Sequence, residues 1–282
     1  MGEVINLVND FKVYNVIFNC GEYNKLENEL IDVLDKKHIE YYSCIKELNI
    51  VLMIGLLLKN INLCDIISME GGNMASAVIH MAIASEINKT LKRDNNKILI
   101  GTIAPDISKF IGRTKLESHF LESVDNNIPN IERFLVKYKD KLNDDFVMGY
   151  FIHLYTDYLW FKYFVSEFYS DNMITKIDGT VVENKGHMLE LYIYNDYTNL
   201  NIKLIDEYNL GLKIFYNELP QLDNIIEEIP MDKINMIVEQ TAVIIENSRE
   251  YKDFIFNIDN VKKFIELSIN LILSKIIEIS KL

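Results

Sequence analysis

Residues 149–160, GYFIHLYTDYLW, leave this chain few ways to fold. They place His153 and Asp157 four positions apart in an otherwise apolar and aromatic segment. That spacing stacks the two side chains one helical turn apart on the same face. A helix of this composition is buried, and a buried imidazole and carboxylate must be satisfied, because unpaired polar groups in a protein interior are costly. A plain His–Asp hydrogen bond meets that requirement. A shared divalent metal also meets it, and then further donors must converge on the same point.

Such donors exist. His80 in SAVIHMAIASEI, Asp106 in GTIAPDISK and His119 in KLESHFLE are each flanked by apolar residues and are expected to point inward. Imidazole nitrogen and carboxylate oxygen are zinc-type ligands. No cysteine follows Cys64, so thiolate sites are excluded from this region. His80, Asp106, His119, His153 and Asp157 exceed the needs of one tetrahedral ion, so two metals with a bridging carboxylate are expected. Taken singly, each residue also has a simpler reading. His80 suits a core histidine, Asp106 after Pro105 a helix N-cap, and His119 a surface histidine on an amphipathic helix.

In chain order, the helix bearing His80, the GTIAPDI turn, the SHF segment and the GYFIHLYTDYLW helix resemble the zinc-dependent phospholipase C family. That family is related in fold to the zinc nucleases that cleave single-stranded nucleic acid. The resemblance covers Met74 to Phe164, and the helical remainder is compatible with it. It implies an all-α fold, a helical bundle holding a zinc cluster at one end, with His80, Asp106, His119, His153 and Asp157 as metal ligands. Asp157 would be the bridging carboxylate, and Asp106 would also hold or deprotonate the attacking water. The implied activity is zinc-dependent phosphoester hydrolysis, foremost of a phosphodiester, with metal-bound hydroxide attacking phosphorus and Asp106 and Asp157 as the catalytic residues.

The chain departs from the family at two points. Secreted members use the amino group of the mature N-terminus as a ligand shortly before the first histidine, whereas His80 lies far from residue 1. The family's third zinc takes two more histidines and a glutamate. Here only His187 follows the GYFIHLYTDYLW helix, with Glu190 and Asp196 nearby. Two zinc ions are therefore expected. His187 and Asp196 stand as candidates for a third site or for orienting a ligand histidine. A structural or exposed loop position for His187, and helix capping for Asp196, are the alternatives. Two other functions stay open: a metal-binding helical protein without turnover, and a nuclease-like phosphodiesterase acting on nucleic acid.

Rival chemistries lack motifs. There is no GxSxG elbow, no Gly-rich phosphate loop and no HExxH pair. The net charge of −13 argues against non-specific nucleic-acid binding, which depends on Lys and Arg. A small-molecule or lipid phosphoester is the expected substrate. The start, MGEVINLVNDF, has no basic region and is not a secretory signal. The longest apolar run, Ile50–Leu58, is too short to span a bilayer, which takes about 20 residues. Three cysteines, all before residue 65, indicate no disulfide framework. A cytoplasmic location is the expectation.

Residues 1–73 differ in pattern from the rest: strand VYNVIFNC, helix YNKLENELIDVLDKK, strand HIEYYSCI, then the apolar run. The sequence Met-Glu-Gly-Gly-Asn-Met at 69–74 admits two readings. Residues 1–73 are upstream translation ahead of a start at Met74, or they are an α/β N-terminal extension joined by a Gly-Gly linker to a helical domain over 74–282. Beyond Ala75, helices are expected at ASAVIHMAIASEINKTLKR, ended by Asn95-Asn96, at NIPNIERFLVKYKDKL and at DDFVMGYFIHLYTDYLWFKYFVSEF. Further helices are expected over 187–209, 231–251 and 260–282, with a short hairpin or loop at TKIDGTVVENKG. The aromatic residues 150–161 are expected to be mostly core, with one or two free to line an apolar pocket.

Overall fold

The structure, a computed structural model, describes residues 75–185 and 188–281. The N-terminal α/β reading, the three cysteines, the boundary at 73–74 and His187 lie outside the described residues. Those described form seven α-helices: α1 (Ala77–Leu91), α2 (Asn95–Ile103), α3 (Ile131–Tyr138), α4 (Asp145–Leu159), α5 (Met188–Glu207), α6 (Ile234–Glu246) and α7 (Ile258–Ser280). A small antiparallel sheet, β1 (Tyr169–Ser170), β2 (Met173–Thr175) and β3 (Val181–Glu183), is inserted between α4 and α5. The mostly helical architecture agrees with the all-α expectation.

The closest pairing is α2 on α4. Two glycines make it possible. A Cβ added at Gly101 would lie 2.1 Å from the Phe146 carbonyl oxygen, and one at Gly149 would lie 2.1 Å from that of Ile98. The backbones thus touch reciprocally where neither helix carries a side chain. α1 packs across α2 and α4, and α5 and α7 close over α1. Helix α1 is buried nearly all round at Val78–Ala84, as its unbroken apolar run predicts.

Two local expectations are corrected. Helix α1 stops at Leu91, ahead of Asn95-Asn96, because Lys92 turns left-handed (φ 55°) and its N–H returns to the Asn88 carbonyl. Asn95 instead opens α2, capped by Asp94, whose carboxylate accepts from the N–H groups of Asn96 and Lys97. The pattern did not reveal α2 because Ile98–Ile103 is buried throughout and has no polar face. The long helix expected to continue to Phe168 changes at Trp160 into a π turn (Trp160–Phe164) and then a 3-10 turn. This bend folds Trp160 onto Phe164, Tyr197, Phe256 and Phe264. The hairpin is present and gains β1: Ile174 pairs with Val182, and Gly179 (φ 82°) makes the turn that a side chain would resist.

Among the described residues no helix is long and apolar enough to cross a membrane.

Candidate metal centre

Four elements deliver the five donors. His80 comes from the first turn of α1, Asp106 from the 3-10 helix Ala104–Phe110 that continues α2, His119 from the turn before α3, and His153 and Asp157 from α4. The structure brings all five together. His80, His119, His153 and Asp157 are fully buried, and Asp106 is 6% exposed.

Asp157 stands at the middle. Its Oδ1 lies 3.3 Å from His80 Nε2, while its Oδ2 lies 3.3 Å from His153 Nε2 and 3.7 Å from His119 Nε2. Asp106 Oδ1 is 3.6 Å from His119 Nε2. The rings of His80 and His153 stack with centroids 3.9 Å apart. Two overlapping donor sets result, His80–His153–Asp157 and Asp106–His119–His153, each with its ligand atoms within 4.8 Å of one another.

The hydrogen bonds behind the rings set which nitrogen is free. His153 Nδ1 stands 2.6 Å from the Thr102 carbonyl oxygen at the end of α2. A carbonyl only accepts, so Nδ1 carries the proton and the neutral ring turns the Nε2 lone pair inward. Pro105 has no N–H to send back to that carbonyl. Ser118 Oγ donates to Ser108 Oγ at 3.3 Å and accepts from His119 Nδ1 at 2.9 Å, which leaves His119 Nε2 free as well. Tyr150 donates its hydroxyl to the Ser118 carbonyl and ties this turn to α4. Phe120, next in chain, is held left-handed (φ 54°) by its packing between Phe134 and Tyr138, a strained position that aims the preceding histidine.

The result is acceptor facing acceptor. The Nε2 atoms of His119 and His153 are 3.2 Å apart, and both Asp157 oxygens, both His80 nitrogens and Asp106 Oδ1 are buried without a well-formed hydrogen bond among the described residues. The Nε2 lone pairs of His119 and His153, converging in a dry interior, repel unless a proton or a cation lies between them. The donor set, imidazole nitrogen plus carboxylate oxygen, fits zinc.

The electrostatics agree. Burial lowers the pKa of His80 and brings that of His119 down to about 4, so both rings are neutral at pH 7 and able to coordinate a cation. Burial pushes Asp157 up, but the surrounding imidazoles outweigh it and hold the carboxyl well below the usual range. Asp106 is also driven up by burial and pulled well below its ordinary value by Lys109, His119 and Lys115 together.

Sequence reasoning missed the two lysines. Lys109 Nζ lies 3.1 Å and Lys115 Nζ 3.7 Å from Asp106 Oδ1. The available signal was Lys109 three residues after Asp106, which a 3-10 or α turn places on the same side.

Asp196 is corrected. Among the described residues it lies outside both donor sets and makes no hydrogen bond to a histidine. Its carboxylate accepts from the backbone N–H groups of Phe254, Ile255 and Phe256 at 2.8, 2.8 and 3.1 Å, pinning the segment before α7 onto α5. Burial pushes its carboxyl up to about 6, against the pull of those three donors. Of the aromatic residues in α4 and the π turn, Tyr150, Phe151 and Trp160 are core, and Tyr155, Tyr158 and Phe161 pack against its margin.

Compared with protein-family models, with curated proteins and with solved structures, the chain matches none.

Proposed function

We propose that this chain is a zinc-dependent phosphoester hydrolase acting on a phosphodiester, with two zinc ions sharing Asp157. One observation carries the reading: the two oxygens of a fully buried carboxylate face different histidines, His80 on one side and His153 with His119 on the other. Two donor sets joined in this way suit two-metal chemistry on phosphate esters. His119, His153, Asp106 and Asp157 would hold one ion, and His80 with Asp157 the other.

Zinc held there supplies a Lewis acid for the phosphoryl oxygens and brings the pKa of a water towards 7. The protein supplies the rest. His153 and His119 are fixed in one tautomer by Thr102 and Ser118, so their Nε2 atoms need no reorganisation. Asp106 is the one residue of the five with any exposure, and it would hold the attacking water. Held ionised by Lys109 and its neighbours, it is a weak base and orients that water by accepting its hydrogen bond.

Full burial of four donors also favours a second reading, a closed metal-holding centre without turnover. Metal analysis and turnover separate the two. We expect two zinc ions per purified chain and hydrolysis of bis-p-nitrophenyl phosphate, both lost in Asp157→Asn. A chain carrying both ions yet inert on phosphodiesters would establish the holding function, and a chain without metal would end both.

A further inference from the structure

A cation does not reach this centre unless part of the fold moves. His80, His119, His153 and Asp157 have no exposure, and Asp106 has 6%. Three of the five donors sit on α1 and α4, which are buried nearly all round. α4 is locked to α2 by backbone contact at Gly101 and Gly149, and Asp106 rides on the 3-10 helix that continues α2. Parting those helices disrupts the core.

His119 is held differently. Residues 112–130 form neither helix nor strand, and the buried run 118–121 stands between exposed flanks at 112–114 and 122–126. Gly112 (φ 69°) turns the chain at one end, and Phe120 (φ 54°) stores strain that release of the turn removes. Among the contacts that close the turn, several are made by side chains. Tyr150 on α4 donates to the Ser118 carbonyl, Ser118 Oγ donates to Ser108 Oγ at 3.3 Å, and Arg133 on α3 donates to the Leu121 carbonyl at 3.2 Å. Lys115 faces Asp106 across the same seam. A segment of this kind opens at lower cost than packed helices do.

We infer that residues 113–121 are the gate of the centre: they swing out together, carrying His119, and the cation enters and leaves through the opening. The other four donors stay on their helices, so His119 is the last ligand on and the first off. This rests on the metal reading above and names the element that regulates loading.

The test follows loss of zinc from the full-length, zinc-loaded protein to excess EDTA, with amide hydrogen exchange measured alongside. Wild type is compared with Tyr150→Phe, Arg133→Met and Asp196→Ala. The first two each remove one bond that closes the turn; the third weakens the whole fold at a place outside the donor sets. We expect release to quicken about fivefold in Tyr150→Phe and about threefold in Arg133→Met, the worth of one hydrogen bond each, and to stay within about twofold of wild type in Asp196→Ala. The amides of His119, Phe120 and Leu121 are hydrogen-bonded within the turn, so their exchange reports its opening. In wild type they should exchange faster than the amides of α2 and α4, and Tyr150→Phe should raise their exchange by the same factor as release. Release at the wild-type rate in both gate variants, or quickened as much by Asp196→Ala, would overturn the gate and leave the metal reading standing. So would turn amides that exchange as slowly as those of α4. Wild type that takes up no zinc would remove the metal reading and the gate together.

Discussion

Asp157 and its three imidazoles show how burial selects a protonation state. In the zinc-free protein His119 has a pKa of about 4, below the ordinary 6.5, because burial penalises its charged form. The unfolded chain therefore takes up this proton first as pH falls. The stability linked to His119 is present in full above 6.5 and lost between 6.5 and 4, roughly 3 kcal/mol from this one ring. His80 shifts in the same direction. Urea titrations of the chelated protein should show stability falling over that window, and His119→Gln should flatten the slope. An unchanged slope would mean that the ring is charged in the fold. At the same scale, His153→Ala removes a nitrogen common to both donor sets, so zinc per chain should drop to one or none by metal analysis.

Two elements carry the geometry of the centre. Helix α2 offers the Thr102 carbonyl to His153 only because α4 lies directly against it at Gly101 and Gly149. Gly149→Ala puts a methyl group into the Ile98 carbonyl. The helices must separate, and the expected cost is about 3 kcal/mol or more. Thermal unfolding should show the loss, and zinc affinity should fall with it although no ligand has changed. The mirror change Gly101→Ala should do the same. A second joint lies outside the two donor sets. Asp196 on α5 holds three backbone N–H groups ahead of α7, and Asp196→Ala leaves them without this acceptor at a cost of roughly 3 kcal/mol. Zinc content should stay at the wild-type value, which separates this anchor from the centre.

Across the whole molecule, the centre fastens α1, the end of α2, the turn before α3 and α4 at one point. A ligand that binds the folded state alone stabilises it by about 2.7 kcal/mol at a hundredfold excess over its Kd. For a chain of 282 residues that is an expected rise of roughly 5–10 °C in Tm. Differential scanning calorimetry with and without chelator should record it, and Asp157→Asn should abolish the difference.

The residue types of the centre were legible along the chain, since a histidine or aspartate inside an apolar helix needs a partner wherever that helix packs. His80, His153 and Asp157 declared themselves this way, as did the helices whose apolar stripes recur every three or four positions. Composition and periodicity are local quantities, and they picked out the buried donors and most helices without neighbours. Other features came from packing between distant segments. Helix α2 has no polar face to betray it, and the left-handed Phe120 that aims His119 is held by Phe134 and Tyr138. Gly101 and Gly149 read as ordinary helix residues until their backbones meet. Asp196, a candidate for a third site or for helix capping, accepts instead from three amide groups some sixty residues away. Lys109 and Lys115 join Asp106 only when a 3-10 helix and a turn fold to the same edge. Which carboxylate faces buried imidazoles and which faces backbone depends on contacts between segments far apart in the chain, and no local pattern encodes those.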